Sequence, residues 1–164
     1  MAKFFGKYRG KVVANTDPLN LGRVQVTVPA VLENGTPWAM PSVPYAGKGV
    51  GLYLIPPEQA NVWVEFEAGD TEFPIWSGCF WSDGEVPGDT VEPTRRTFKC
   101  DGVDLQIDDQ NGGSVTLKVT APIANGDITV VIDSSGAVIK AGSMGKVEIT
   151  ASQVAINDDG LVVR

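Results

Sequence analysis

The stretch Val103-Asp104-Leu105-Gln106-Ile107, followed beyond Asn111-Gly112-Gly113 by Val115-Thr116-Leu117-Lys118-Val119, decides how this chain folds. Every second residue is apolar, the pattern of a strand with one dry face and one wet face. The alternation returns at Ile128/Val130/Ile132, Val147/Ile149, Val154/Ile156 and Leu161/Val163. Tight-turn sequences separate the runs: Asn125-Gly126, Ser134-Ser135-Gly136, Ser143-Met144-Gly145 and Asp159-Gly160. From Asp101 to Arg164 there is no aromatic residue, while Val, Ile and Thr make up 21 of 64 residues. Aromatic side chains are the efficient way to fill a wide core, so a core built without them is narrow. A one-sided meander with two open edges also leaves its apolar face in water. Wrapping copies around one axis covers those faces, and a narrow core favours three chains over a wide barrel. The residues assigned to that axis are Val115, Leu117, Ile128, Val130, Ile132, Val147, Ile149, Val154 and Ile156, with the register open by one residue.

The chemistry changes upstream. All four tryptophans and all three tyrosines precede residue 82, and ten of the 11 prolines fall at or before Pro93. This shift predicts one domain over residues 1–82, a connecting segment over 83–99 rich in Gly and Pro, and a second domain over 100–164. In Gly22–Pro29, Val24, Val26 and Val28 alternate with Arg23, Gln25 and Thr27; in Ala60–Glu67, Val62, Val64 and Phe66 oppose Trp63, Glu65 and Glu67. Further strands are expected at Lys7–Ala14, Val50–Ile55 and Phe73–Trp81, separated by Asp17-Pro18, Asn34-Gly35, Pro56-Pro57 and Gly69-Asp70. No segment has helical spacing. The fold class is all-β, and five strands in about 80 residues suit a small closed barrel of OB type better than an open sheet, with a sandwich as the alternative.

Composition removes several function classes. The 164 residues carry 13 Lys+Arg against 20 Asp+Glu, a net charge of −7, with both halves negative. A binder of nucleic-acid backbone needs the opposite sign. The chain has no histidine, which excludes Ser-His-Asp and Cys-His nucleophiles and His-ligated zinc or haem. No run approaches the ~20 apolar residues of a membrane span, and the first ten residues lack the apolar centre of a signal peptide. Two cysteines, Cys79 and Cys100, are too few for a disulfide scaffold, so synthesis in a reducing cytoplasm is expected.

The remaining motifs read structurally. Gly47-Lys48-Gly49-Val50-Gly51 resembles a phosphate loop but leads into a strand, whereas phosphate cradles need a helix start. Glu65 and Glu67 could be an acid/base pair for glycoside cleavage, yet carboxylates keeping a barrel soluble account for them equally well. Asp108-Asp109 and Asp158-Asp159-Gly160 lack EF-hand spacing and read as solvated turns. Cys79, inside Ile75–Trp81, is expected to be a buried thiol with no base to activate it. Trp38, Tyr45, Tyr53 and Trp63 could stack on bases or sugars, but most are expected in the core or a subunit interface. No cofactor or metal is expected.

The runs Phe4–Gly10, Leu21–Val26, Trp38-Ala39-Met40-Pro41, Ile55-Pro56-Pro57, Val62–Phe66 and Pro74–Gly78, in this order, resemble the OB domain of phage baseplate assembly protein V and VgrG-type spikes. The remainder is similar to the β-helical stalk that follows in that family. The resemblance implies an N-terminal OB-fold barrel followed by an intertwined triple-stranded β-helix, in a homotrimer. Three barrels would form a ring on a baseplate hub protein, and the prism would point at the target cell envelope. A PAAR-repeat tip protein would dock at the far end, on Leu161, Val162, Val163 and Arg164. Relatives that form their own pointed tip hold iron through histidines, which this sequence lacks. The 83–99 connection is too short for the lysozyme domain some relatives insert there, and no effector segment is expected after the stalk.

The expected function is therefore a non-enzymatic, membrane-puncturing central spike of a contractile phage tail or phage-tail-like particle, driven by sheath contraction. The alternatives are an OB-fold binder of single-stranded nucleic acid, opposed by the charge, and a tail-associated wall-degrading enzyme using Glu65 or Glu67.

Overall fold

A computed structural model describes residues 2–88, 92–110, 112–143, 145–158 and 160–163. The chain divides into two compact units, Met1–Glu85 and Val86–Arg164.

In the first unit, β1 (Tyr8–Ala14), β2 (Val24–Thr27), β3 (Trp38–Pro41), β6 (Asn61–Phe66) and β7 (Pro74–Phe80) close a barrel in the order β1-β2-β3-β7-β6. All contacts are antiparallel except β3 with β7. The valines at alternate positions point inward as their spacing predicts. Val12, Val24, Val26, Val28, Val62 and Val64 are fully buried, joined by Ala39, Phe66 and Trp76. Such a small barrel leaves no room for larger side chains where strands cross. At Gly10 a Cβ would lie 2.8 Å from Val64 Cγ2 and 2.9 Å from the Thr27 carbonyl, so only glycine lets β1 approach both neighbours.

Two strand assignments differ from expectation. The fifth barrel strand is Trp38–Pro41, whose flanking Pro37 and Pro41 hide it from periodicity. The Val50–Ile55 run is not a barrel strand. Only β5 (Val50–Gly51) pairs, with β4 (Ala46–Gly47), in a small separate hairpin, and Leu52 and Leu54 alternate without being buried. Cys79 is exposed rather than buried: the register shift between Val62 and Val64 breaks the alternation of β7 after Trp76, and Cys79 stands opposite buried Val62 but near the strand's end, where it remains exposed.

The second unit is one antiparallel meander of eight strands, each paired with the next in chain order. They are β8 (Arg95–Cys100), β9 (Val103–Asp108), β10 (Ser114–Val119), β11 (Ile128–Asp133), β12 (Gly136–Ala141), β13 (Gly145–Ile149), β14 (Val154–Ile156) and β15 (Leu161–Val163). Strand β8 begins inside the 83–99 segment expected to be a connection; Arg95-Arg96-Thr97-Phe98-Lys99 has a single large apolar residue, too few to show alternation. Strand β12 also escapes periodicity, since Ala137 and Ala141 carry little apolar signal beside Ile139. Its first residue, Gly136, has φ +141°, and a Cβ there would fall 2.0 Å from the Ile149 carbonyl oxygen.

Candidate functional site

The register of the second unit sorts its side chains onto two faces, because residues directly opposite across a ladder share a face. The central row on one face runs Phe98, Leu105, Leu117, Val130, Ile139, Val147, Ile156, Leu161, one residue from each of the eight strands. A parallel row runs Arg96, Ile107, Val115, Ile132, Ala137, Ile149, Val154 and Val163, apolar after its first residue. A third, Cys100, Val103, Val119, Ile128, Ala141 and Gly145, ends at β13, where the strands shorten. The sequence-assigned Val115, Leu117, Ile128, Val130, Ile132, Val147, Ile149, Val154 and Ile156 all lie on this one face, and none of them is buried within the single chain. Exposure reaches 50% at Ile132 and 44% at Ile149.

Sequence reasoning missed Ile139, in the middle of the central row and 43% exposed, because β12 went unrecognised. The two-residue Ser134-Ser135 turn was the signal available, since it fixes the parity of whatever strand follows.

The other face is polar. Arg95 pairs with Asp108 across β8–β9 at 3.1 Å, Lys99 with Asp104 at 3.6 Å, Lys118 with Asp127 at 3.0 Å, and Lys146 with both Glu148 and Asp158. The two carboxylates beside Lys146 raise its pKa above the ordinary lysine value, and Asp158 is lowered in return. Asp108 is held low by the Gln110 amide and Arg95. Val131 and Val138 face this side and lie outside the apolar rows. A sheet with one charged face and one unpartnered aliphatic face is built to cover the second with protein.

Of the expected tip-docking residues, Leu161 and Val163 lie on the apolar face at the sheet's β15 edge and are more than half exposed. The Val162 side chain and Arg164 lie outside the described residues.

The first unit carries a second apolar surface. The β4–β5 hairpin and the residues on either side of it expose Tyr45, Val50, Leu52, Tyr53 and Leu54 beside Leu21. Between them runs an open groove of about 290 Å³ bordered by Leu21, Gly22, Pro41, Val43 and Ile55. The loop bearing Leu19 and Leu21 is held rigidly. Buried Asp17 accepts the amides of Leu19, Leu21 and Arg23 at 2.8–3.2 Å and pairs with Arg23 at 2.7 Å. The Arg23 guanidinium and these amides hold the Asp17 carboxyl well below the usual carboxylate range, against the opposing effect of burial. Arg23 in turn stacks on Trp38, and the Trp76 indole donates to the Gly22 carbonyl at 3.2 Å.

The other candidates are placed as follows. Glu65 pairs with Lys7 at 3.0 Å, and Glu67 opens the short 3₁₀ turn Glu67–Gly69 on the surface. Gly47–Gly51 closes a hairpin and no helix follows it. Asp108 and Asp109 are taken by Arg95 and Arg96; Asp159 lies outside the described residues. Trp63 packs on Phe80 with Arg9 over both rings, while Tyr45 and Tyr53 stand in solvent. Among the described residues no group of three or more Cys, Asp or Glu is placed to hold a metal ion, and no helix is long and apolar enough to cross a membrane.

Comparison with known families matches both units. Residues 8–81 match the type VI secretion system/phage-baseplate injector OB domain, which spans the closed barrel. Residues 97–162 match the phage baseplate V C-terminal trimerisation domain, which spans the meander. No curated protein matches the chain. A barrel of the injector OB type, joined to a sheet whose dry face asks for copies of itself, makes this chain a member of the phage baseplate V family, a homotrimeric structural component of a baseplate.

Proposed function

We propose that this protein is the central spike of a contractile phage tail or phage-tail-like particle, a non-enzymatic trimer that punctures the target envelope when the sheath contracts. The observation that carries the reading is the apolar face of the second unit, continuous from β9 to β15. Strands of six residues at ~3.4 Å per residue are ~20 Å wide. Three such faces set as a triangular prism lie ~6 Å from the axis, close to the ~5 Å that side chains fill when sheets stack ~10 Å apart. Were the axis to run along the strands instead, eight strands ~4.8 Å apart would make faces ~34 Å wide and leave a hollow ~10 Å in radius. Valine, isoleucine and leucine cannot fill that hollow.

The axis therefore crosses the strands: the central row, with Leu105 and Ile139, lies along it, and the flanking rows with Ile107, Val115, Ile128, Ile132, Ile149 and Val154 face the corners on either side. Strand length falls from six residues in β8–β12 to three in β14 and β15, so the prism narrows toward β15. Bending such a rod breaks many ladder hydrogen bonds together, and that gives the stiffness a puncturing device needs. Whether the three sheets also intertwine is set by how their edges pair.

The groove and hairpin of the first unit are the surface on which the baseplate hub protein docks. The open β15 edge, with Leu161 and Val163, is where a PAAR-repeat tip protein adds. Synthesis is cytoplasmic, followed by assembly into the particle. The pairing of Glu65 with Lys7 supports a structural role for that carboxylate over wall cleavage, and the net negative charge opposes nucleic-acid binding. The test is the molar mass of the full chain by light scattering, together with its recovery in assembled particles. Three-chain mass and incorporation support the reading; a stable single-chain species overturns it.

A further inference from the structure

The prism has corners, and its two kinds of sheet border differ. A three-fold axis sets one border of each sheet against the opposite border of the next, a heterologous contact. The border carrying Ser134-Ser135 and Thr150–Gln153 is polar and turns tightly. The other border carries one long loop, Thr120–Asp127, between β10 and β11, with Ile123 as its single large apolar residue. Ile123 is 59% exposed in the single chain.

This loop holds its shape by its own bonds. The Thr120 amide donates to Gly102, and the Ile123 and Ala124 amides both donate to Thr120, at 2.9–3.1 Å. Lys118 and Asp127 pair across its base at 3.0 Å. Ile123 lies so close over Gly102 that a Cβ there would come within 3.2 Å of its Cγ1. A fixed loop that holds one isoleucine in water at the border of an interface is a knob without its hole.

The hole follows from the register. At the opposite ends of the same two strands, Val115 and Ile132 are paired across the ladder on the apolar face, 37% and 50% exposed. With the axis crossing the strands, β10 and β11 of neighbouring copies stand at one height. We infer that Ile123 of each copy packs onto the Val115–Ile132 pair of the next, so that three such clasps seal the prism corners at the β10–β11 level. The inference rests on the axial placement of the apolar face proposed above and adds the lateral contact that closes it.

Cysteine cross-linking in the full chain tests it. In a Cys79→Ser/Cys100→Ser background, Ile123→Cys with Ile132→Cys should give, on mild oxidation, covalent three-chain species on a non-reducing gel. Ile123→Cys with Ile149→Cys, at another height, should give none beyond the single-cysteine controls. As a check free of cross-linking, Ile123→Asp should lower the temperature at which the trimer dissociates, while Asn125→Ser on the same loop leaves it unchanged. Three-chain mass with no 123–132 cross-link and an unmoved Ile123→Asp transition overturns the clasp and leaves the axial reading standing. A single-chain mass for the cysteine-free background overturns both.

Discussion

Replacing Val130 by Asp puts a carboxylate in the central apolar row, between Leu117 and Ile139, once in each of three copies. At ~6 Å from face to axis the three side chains converge to ~5 Å. At an effective dielectric of about 20, each pair of charges then repels by ~3 kcal/mol, or ~10 kcal/mol for the three. Loss of three buried valines removes a further ~1.5–3 kcal/mol each. Together these exceed the stability of a typical small domain, about 5–15 kcal/mol, at its midpoint. Light scattering should show the particle falling from three times 17.4 kDa to 17.4 kDa at neutral pH. Partial reassembly should follow below pH ~4, where the carboxyls are neutral. Val131→Asp is the control, since Val131 sits on the polar face one residue away. Trimeric Val130→Asp, or equal damage from Val131→Asp, refutes the facial assignment.

Three further outcomes are expected. Gly10→Ala forces a Cβ against Val64 and the Thr27 carbonyl and should destabilise the barrel by ~1–3 kcal/mol, read from its denaturant midpoint without change in the trimer mass. The Asp17 carboxyl has a lower pKa folded than unfolded, so its contribution is present above pH ~4 and is lost as pH falls toward its folded value. The barrel's melting temperature should therefore drop with acidification, and Asp17→Asn should flatten that dependence. Leu52→Asp with Tyr53→Ser alters side chains that are exposed in the single chain, so it should leave melting unchanged while abolishing incorporation into particles; normal incorporation removes the hub from that groove.

What the sequence made legible depended on which physical signal each residue carries. Val24/Val26/Val28 and Val62/Val64 alternate cleanly and all point into the barrel, where Phe66 and Trp76 complete the core. Trp38–Pro41 was invisible because its prolines deny it the donors and the composition of an ordinary strand. Leu52 and Leu54 alternate like a buried strand yet stand in water; periodicity reports a stripe of apolar residues and not what covers it. The same ambiguity helped in the second unit, where a stripe without a visible partner pointed to other copies. Ala137-Val138-Ile139-Lys140-Ala141 was lost because alanine barely registers in a hydropathy pattern, and with it went Ile139. The Thr120–Asp127 loop held no motif, and the position of Ile123 needed the folded border to become meaningful.

Hydroxyl-radical footprinting of the intact protein in solution reads the apolar face most directly. If that face lines a shared axis, Val130, Ile139 and Val147 react far more slowly than their outward neighbours Val131 and Val138, despite the open exposure of Ile139 in one isolated chain. Labelling of Ile139 at the rate of a fully solvated side chain such as Leu52 would contradict the account.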